Sequence, residues 1–527
     1  MKTAVAALVV LLAAGSWPLE AQRYDLLIRG GTVIDGTGAV GFPADLAVHE
    51  GRIVRVSRTP IDPSSAQRVI DATGLVVSPG FIDLHAHIEG INRMPDAESE
   101  VRQGVTLALG GPDGGGPAHF ASYLRMVDSL PLGLNVGYLT GHNSIRGEVI
   151  GMADRAPTPD ELERMKLMVA EAMHAGAFGI STGLFYLPGI FSKVDEVIAL
   201  SKVAADSGGI YTSHLRNEGA KLFDGVAEAI EIGKQAHIPI VLTHHKAVGQ
   251  PNWGKSIVTL AMIDWARSAG IDVMADQYPY TASSTALAAL FPPWALEGGD
   301  SAFRRRAKDP VLLDSLTRGI IWNLENDRGG GEIRRVQFAS VGWNRGLEGR
   351  TLRDWAVERG LEPTPANGAR LVVEGQLAGG ASMIYHVIDE ADVERIMKHP
   401  MTMIASDGAL SRPGMGVPHP RSYGTFPRVL GVYVREKQVL TLEDAVRKMT
   451  SLPARRLGLR DRGTIAEGNV ADITIFDPKV VNEQGTWTNP HQYPVGIPYV
   501  IVNGVAVVDG GRFTALRPGK VLRRPGR

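Results

Sequence analysis

Cysteine is missing from all 527 residues. Its absence removes disulfides, thiolate metal ligands and cysteine nucleophiles together. Net charge is nearly missing as well: 55 lysines and arginines against 56 aspartates and glutamates leave -1. That balance carries no electrostatic footprint for nucleic acid or an anionic membrane, and the basic ending, residues 516–527, reads as a solvated tail. No apolar run has the length of a membrane-spanning helix. The longest, Ala4 to Ala14, follows Lys2 and precedes Leu19-Glu20-Ala21, the arrangement of an export signal removed with residues 1–21. The expectation is an exported protein, periplasmic or secreted and free of the membrane after cleavage, whose partner is a small-molecule substrate.

What the chain does have is a pair of histidines at alternate positions, closing an apolar run in SPGFIDLHAHIEG. Residues two apart in an extended strand share a face, so His85 and His87 can offer two imidazoles to one point. Imidazole suits zinc and its divalent neighbours. The alternative is one core histidine and one solvent-facing one, and further ligands decide between these readings. Seven more apolar runs end in a polar residue or a turn. GVTLALGG leads to Asp113, NVGYLTG to His142, AFGIST to Gly183, GIYTS to His214, PIVLT to His244, DVMAD to Tyr278 and TMIAS to Asp407. Helical signals separate most of them. Thr158-Pro159-Asp160-Glu161 is a capping box with proline at the first helical position, followed by Leu162, Met165, Met168, Val169 and Ala172 at helical spacing. Thr441 to Asp444 repeats the start signal. Eight strands alternating with helices predict an α/β fold, a (β/α)8 TIM-like barrel over residues 76–458, with its chemistry at the C-terminal strand ends.

Short β-like runs broken by glycine occupy Tyr24 to Ile70 and return in Gly463 to Asp477 and Tyr499 to Asp509. They predict one small β-sandwich domain made from both chain ends, residues 22–75 and 459–515. The stretch 281–381 is too long for a βα connection and predicts an insertion before the last barrel strand, with helices near Ala302 to Leu324. Two motifs point to other chemistry. Gly179-Ile180-Ser181-Thr182-Gly183 matches a serine-hydrolase elbow, but Pro188 and Gly189 soon after oppose the helix that an elbow needs. GGPDGGG lacks the lysine and hydroxyl residue of a phosphate-binding loop.

With these segments assembled, the chain resembles the amidohydrolase superfamily, in its D-aminoacylase (N-acyl-D-amino-acid deacylase) branch. DLLIRGGTVIDGTG, GFIDLHAH, STGLFYLPG, TSHLRNE, THHKAVG, DQYPYTASST, ASDG, HPRSYGTFPRVL and ADITIFDP carry the resemblance in order along nearly the whole chain. It implies that His85 and His87 hold one divalent metal and His214 and His244 its neighbour, with Asp407 at the end of the eighth strand. His244 is chosen over His245 because it occupies the histidine position of the branch's S-H-x-K motif, and two consecutive strand residues cannot share a face. The resemblance further implies Arg216, Lys246, Tyr278 and Ser284 as the grip on the product's α-carboxylate, and Tyr186 as a contact to the scissile carbonyl. His142 and His419 fall in family-like segments and could equally lie behind the site. One departure stands out: familiar members carry a cysteine ligand after the second strand, and this chain has Asp113. A carboxylate is a harder ligand, so manganese or cobalt joins zinc as the expected cofactor. The implied reaction is hydrolysis of a linear amide by metal-activated hydroxide, with Asp407 as general base and acid. A dipeptidase for C-terminal D-residues, a cyclic-amide hydrolase and a non-catalytic periplasmic binding protein remain as alternatives on the same scaffold.

Overall fold

The structure, a computed structural model, describes residues 24–526. The expected export signal, residues 1–21, lies outside the described residues. Eight parallel strand positions form the barrel, in chain order Phe81–Asp83, Val105–Gly110, Asn135–Tyr138 (continued by Thr140–Gly141), Gly179–Gly183, Ile210–His214, Ile240–Leu242, Val273–Gln277 and Thr402–Ile404. The last closes on the first through Asp407 N to His85 O and His87 N to Gly408 O, both 2.8 Å. Ile82, Leu107, Ile210, Val241, Met274 and Met403 share one buried cluster, while Phe81, Val105, Ile180, Tyr211, Ile240 and Ile404 belong to the larger one that includes helix residues. Alternation along short strands thus sends every second side chain to each layer. Both expected helix starts are present. In Pro159–Ala175 the Thr158 hydroxyl and the Glu161 carboxylate cap reciprocally, and in Leu442–Met449 Thr441 accepts from Asp444 N.

Five strands from the N-terminal end (Tyr24–Val33, Phe42–His49, Arg52–Ser57, Ala66–Asp71, Val76–Pro79) and four from the other end (Ile473–Phe476, Tyr499–Val502, Val505–Asp509, Arg512–Phe513) join in one nine-stranded β domain. The seam is Val76–Pro79 against Ile473–Phe476, antiparallel. This domain therefore reaches Pro79, past the expected boundary at residue 75. The insertion also runs longer than expected. Its three-stranded sheet is built from Ser283–Ala286, Val336–Ser340 and Ser382–Tyr385, and the last of these pairs with both others, so the unit cannot end at residue 381. Leu287, Phe303, Leu316, Phe338, Trp355 and Met383 contribute to its own core.

The basic ending is not a solvated tail. At the barrel floor the third strand pairs with the second alone, and the chain's end takes the open edge. Val136 N donates to Lys520 O, Leu522 N to Val136 O and Arg524 N to Gly176 O, while Leu522 packs against the floor core. The apolar Val521-Leu522 pair inside the basic run supplies the surface for this docking. Among the described residues no helix is long and apolar enough to cross a membrane.

Candidate metal centre

The C-terminal strand ends open onto a cavity of about 860 Å³ walled on one side by the insertion. His85 and His87 stay extended beyond the first strand because barrel pairing continues past it. Their Nε2 atoms lie 3.5 and 3.2 Å from Asp407 Oδ1. Asp113 enters from the second strand. Its Oδ1 is 3.5 Å from His85 Nε2 and 3.5 Å from His244 Nε2, and its Oδ2 is 3.7 Å from His87 Nε2 and 3.7 Å from His214 Nδ1. One carboxylate thus faces both histidine pairs. Ligand atoms of His85, His87, Asp113 and Asp407 all lie within 4.8 Å of one another, as do those of Asp113, His214 and His244.

This donor set fits a divalent cation. Both ring nitrogens of His85 and of His214 are buried without a hydrogen-bond partner. Leaving such a group unsatisfied costs about 1–3 kcal/mol, and an ion that takes the lone pair removes that cost. Burial pushes the His214 imidazole down to about 4, which keeps it in the neutral form that binds metal. Burial raises the Asp113 and Asp407 carboxyls, yet their neighbours outweigh it and hold both below the ordinary carboxylate range. For Asp113 these are His85 and His244, for Asp407 Arg421 and His85.

Backbone conformation aims three of these side chains. Asp113, His244 and Asp407 have φ of 54°, 37° and 51°, the left-handed region that non-glycine residues seldom adopt. The sixth strand ends at Leu242, so strand alternation does not separate His244 from His245. The left-handed turn at His244 does. His245 points away and places Nε2 2.7 Å from Thr259 Oγ1.

Lys246, Tyr278, Ser284 and Tyr186 line the cavity. Lys246 Nζ and the Arg421 guanidinium stand over the Tyr278 ring at 5.7 and 4.8 Å. The Ser284 hydroxyl donates to Met383 O, and Tyr186 accepts from Thr285 Oγ1. Arg216 is the exception. Its guanidinium grips Glu228, with Nε 2.9 Å from Oε2 and Nη2 2.8 Å from Oε1, and it also donates to the Ile190 and Ser192 carbonyls. It lies outside the cavity lining, and Glu228, one helix later, claims the Nε–Nη2 fork that would grip a substrate carboxylate. Arg421 stands in the cavity instead, with Nη1 2.7 Å from Asp407 Oδ2. His142 is held by Glu196 at 2.8 Å, behind the site. His419 lines the cavity and accepts from Arg421 N, fixing that residue's backbone.

Three buried residues at the site had no assignment from sequence: Glu218, Arg328 and Arg421. Glu218 and Arg421 lie inside TSHLRNE and HPRSYGTFPRVL, so segment matching located them without a role. Arg328 precedes a triple glycine in the insertion, where no periodicity marks it.

The amidohydrolase family model matches residues 68–276 and 325–508. D-aminoacylase of Alcaligenes xylosoxydans xylosoxydans is 36% identical, over 96% of this chain and 99% of its own. N-acyl-D-glutamate deacylase of the same organism is 37% identical, over 95% and 97%. The solved structure of N-acyl-D-glutamate deacylase from Bordetella bronchiseptica, with zinc and a phosphonate mimic of the tetrahedral intermediate, superimposes with a TM-score of 0.81. It is 35% identical and covers 95% of this chain and 100% of that one. With full-length matches and the histidine and aspartate set at the barrel mouth, the chain belongs to the amidohydrolase family, in its D-aminoacylase branch.

Proposed function

We propose that this protein hydrolyses the amide bond of N-acyl-D-amino acids. The observation that carries the reading is a metal-binding set and a carboxylate-binding cluster, Lys246, Arg421 and Tyr278, in one cavity. The D configuration rests on the relatives' names. His85, His87, Asp113, His214, His244 and Asp407 would hold one or two divalent ions. Zinc is first and manganese or cobalt next, and a bound ion supplies an acidified water and polarises the amide carbonyl.

The chain's own residues do the rest. Lys246 and Arg421 fix the α-carboxylate, the lysine as a point charge and the arginine as a planar fork. Asp407, ionised, with Oδ1 facing His85 and His87 and Oδ2 on Arg421, takes a proton from the attacking water as the water oxygen bonds to the carbonyl carbon. The same carboxyl delivers that proton to the nitrogen as the C–N bond breaks, releasing a carboxylate and a D-amino acid. Arg421 touches both Asp407 and the carboxylate position, so substrate capture and proton transfer meet at one side chain. The apolar N-terminal segment supports export of the mature chain. Intact mass after expression in a host with a secretion pathway tests it, and an uncleaved N-terminus speaks against it.

The deciding assay pairs N-acetyl-D and N-acetyl-L amino acids, with dipeptides and hydantoins as further arms. Turnover of D-amides that a chelator abolishes and zinc restores is the expected result. Turnover confined to L-amides, cyclic amides or dipeptides, or full activity in metal-free protein, overturns it.

A further inference from the structure

Glu218 touches four groups at the site and has no role so far. It is buried, four residues beyond His214. Its carboxylate lies 3.1 Å from His244 Nδ1, 3.5 Å from His214 Nε2 and 3.4 Å from Arg328 Nη2, and it accepts from Lys246 Nζ. The opposite nitrogens of the same two imidazoles, His214 Nδ1 and His244 Nε2, are the ones that face Asp113. Two histidines are therefore sandwiched between two carboxylates, Asp113 on the metal side and Glu218 on the outer side.

We propose that Glu218 is a positioning residue that sets the tautomers of both His214 and His244, so that each turns an unprotonated nitrogen toward the ion. The inference rests on the metal-dependent reading above. Flanked by Lys246 and Arg328, Glu218 is a carboxylate, and a carboxylate only accepts hydrogen bonds. Its charge then favours the protons on the nitrogens that face it, His214 Nε2, reached through the field alone at 3.5 Å, and His244 Nδ1 at 3.1 Å. The inward nitrogens keep their lone pairs. A second group contests this at His244, where Lys246 Nζ stands 2.7 Å from Nδ1. An ammonium only donates, and satisfying it there would move the imidazole proton to Nε2, facing Asp113, and block ligation. Glu218 resolves the contest because it can accept from both: the ammonium donates to Glu218 and to His244 O (2.9 Å), and Glu218 Oε1, 3.1 Å from Nδ1, is the acceptor within reach of an Nδ1 proton. With Nδ1 protonated, the third Lys246 N–H, beside Nδ1 at 2.7 Å in this structure, is released to the substrate carboxylate. A single outer carboxylate thus orients two ligands and leaves the lysine free to bind.

The test measures zinc binding and histidine protonation together. In zinc-loaded wild-type protein with ¹⁵N-labelled histidine, His214 is expected to carry its proton on Nε2 and His244 on Nδ1. The opposite assignment for either overturns the proposal, whatever the variants do. Glu218→Gln keeps the shape but replaces an acceptor oxygen with a donor amide. It should weaken zinc binding about 10- to 100-fold, as loss of an outer-shell partner does, and shift the visible spectrum of the cobalt-loaded protein. Glu196→Gln, which alters a buried carboxylate away from the cavity, controls for general destabilisation and should leave zinc affinity and spectrum unchanged. Equal zinc affinity in wild type and Glu218→Gln removes Glu218 from this role and leaves the deacylase reading intact. A wild-type protein that binds no zinc, cobalt or manganese overturns both.

Discussion

Replacing Asp113 probes the feature that sets this centre apart, a carboxylate where familiar relatives carry a thiolate. Asp113→Asn keeps the volume and one oxygen but removes a full negative charge that faces four imidazole nitrogens at 3.5 to 3.7 Å. A unit charge pair 3.5 Å apart in an effective dielectric near 20 is worth about 5 kcal/mol, and a divalent partner feels more. At about 1.4 kcal/mol per decade that loss corresponds to at least roughly a thousandfold weaker binding. Competition against a chelator of known affinity reads the constant, and elemental analysis reads the stoichiometry. Because Asp113 belongs to both donor groups, the loss should reach ions held by either histidine pair. Asp113→Cys should favour zinc over manganese relative to the parent, since thiolate is the softer ligand. Unchanged affinity, stoichiometry and metal preference across the three proteins would refute the ligand role and leave Asp113 a turn residue.

Asp407→Asn should lower kcat at least about a hundredfold while the fold persists, as loss of general acid-base catalysis does. Near-parental kcat in steady-state kinetics moves the proton transfer elsewhere. Arg421→Met should raise KM for N-acyl-amino acids about 10- to 100-fold through loss of a charge-assisted contact, whereas Arg216→Met should leave KM unchanged and lower the melting temperature by stranding Glu228. A KM rise in the Arg216 variant alone would reverse the two assignments. His214→Ala and His244→Ala should lose metal as well as rate, and His245→Ala should keep most of both, read by metal content per chain. Equal losses in all three contradict the orientation set at His244.

The barrel was legible because its signals are local. A capping box such as Thr158 to Glu161, or an apolar run ending at His214, needs no knowledge of distant residues. The site was legible where a ligand ends a strand, as at His85, His87 and His214. Legibility failed where two parts of the chain compete for one side chain. Arg216 has the fork that suits a substrate carboxylate, yet Glu228 takes it, and no spacing rule announces that choice. The insertion's last strand, Ser382–Tyr385, ends where its two partners require, about a hundred residues from one of them. The ending around Leu522 looked like a tail because its charges are plain in sequence, whereas the open strand edge it covers exists only in the folded barrel.

The left-handed backbone at Asp113, His244 and Asp407 sets catalysis against durability. Glycine adopts that conformation freely, while a side chain there costs on the order of 1 kcal/mol. The fold accepts that backbone cost at three positions of one site, where glycine would remove it and disarm the enzyme. In chelator, Asp113→Gly and Asp407→Gly relieve that cost but strip charges that face His85, His244 and Arg421, so both should melt below their parent, and a rise in both would show that the backbone cost outweighs the contacts. Three left-handed side chains around one cavity thus mark where backbone ease gives way to chemistry.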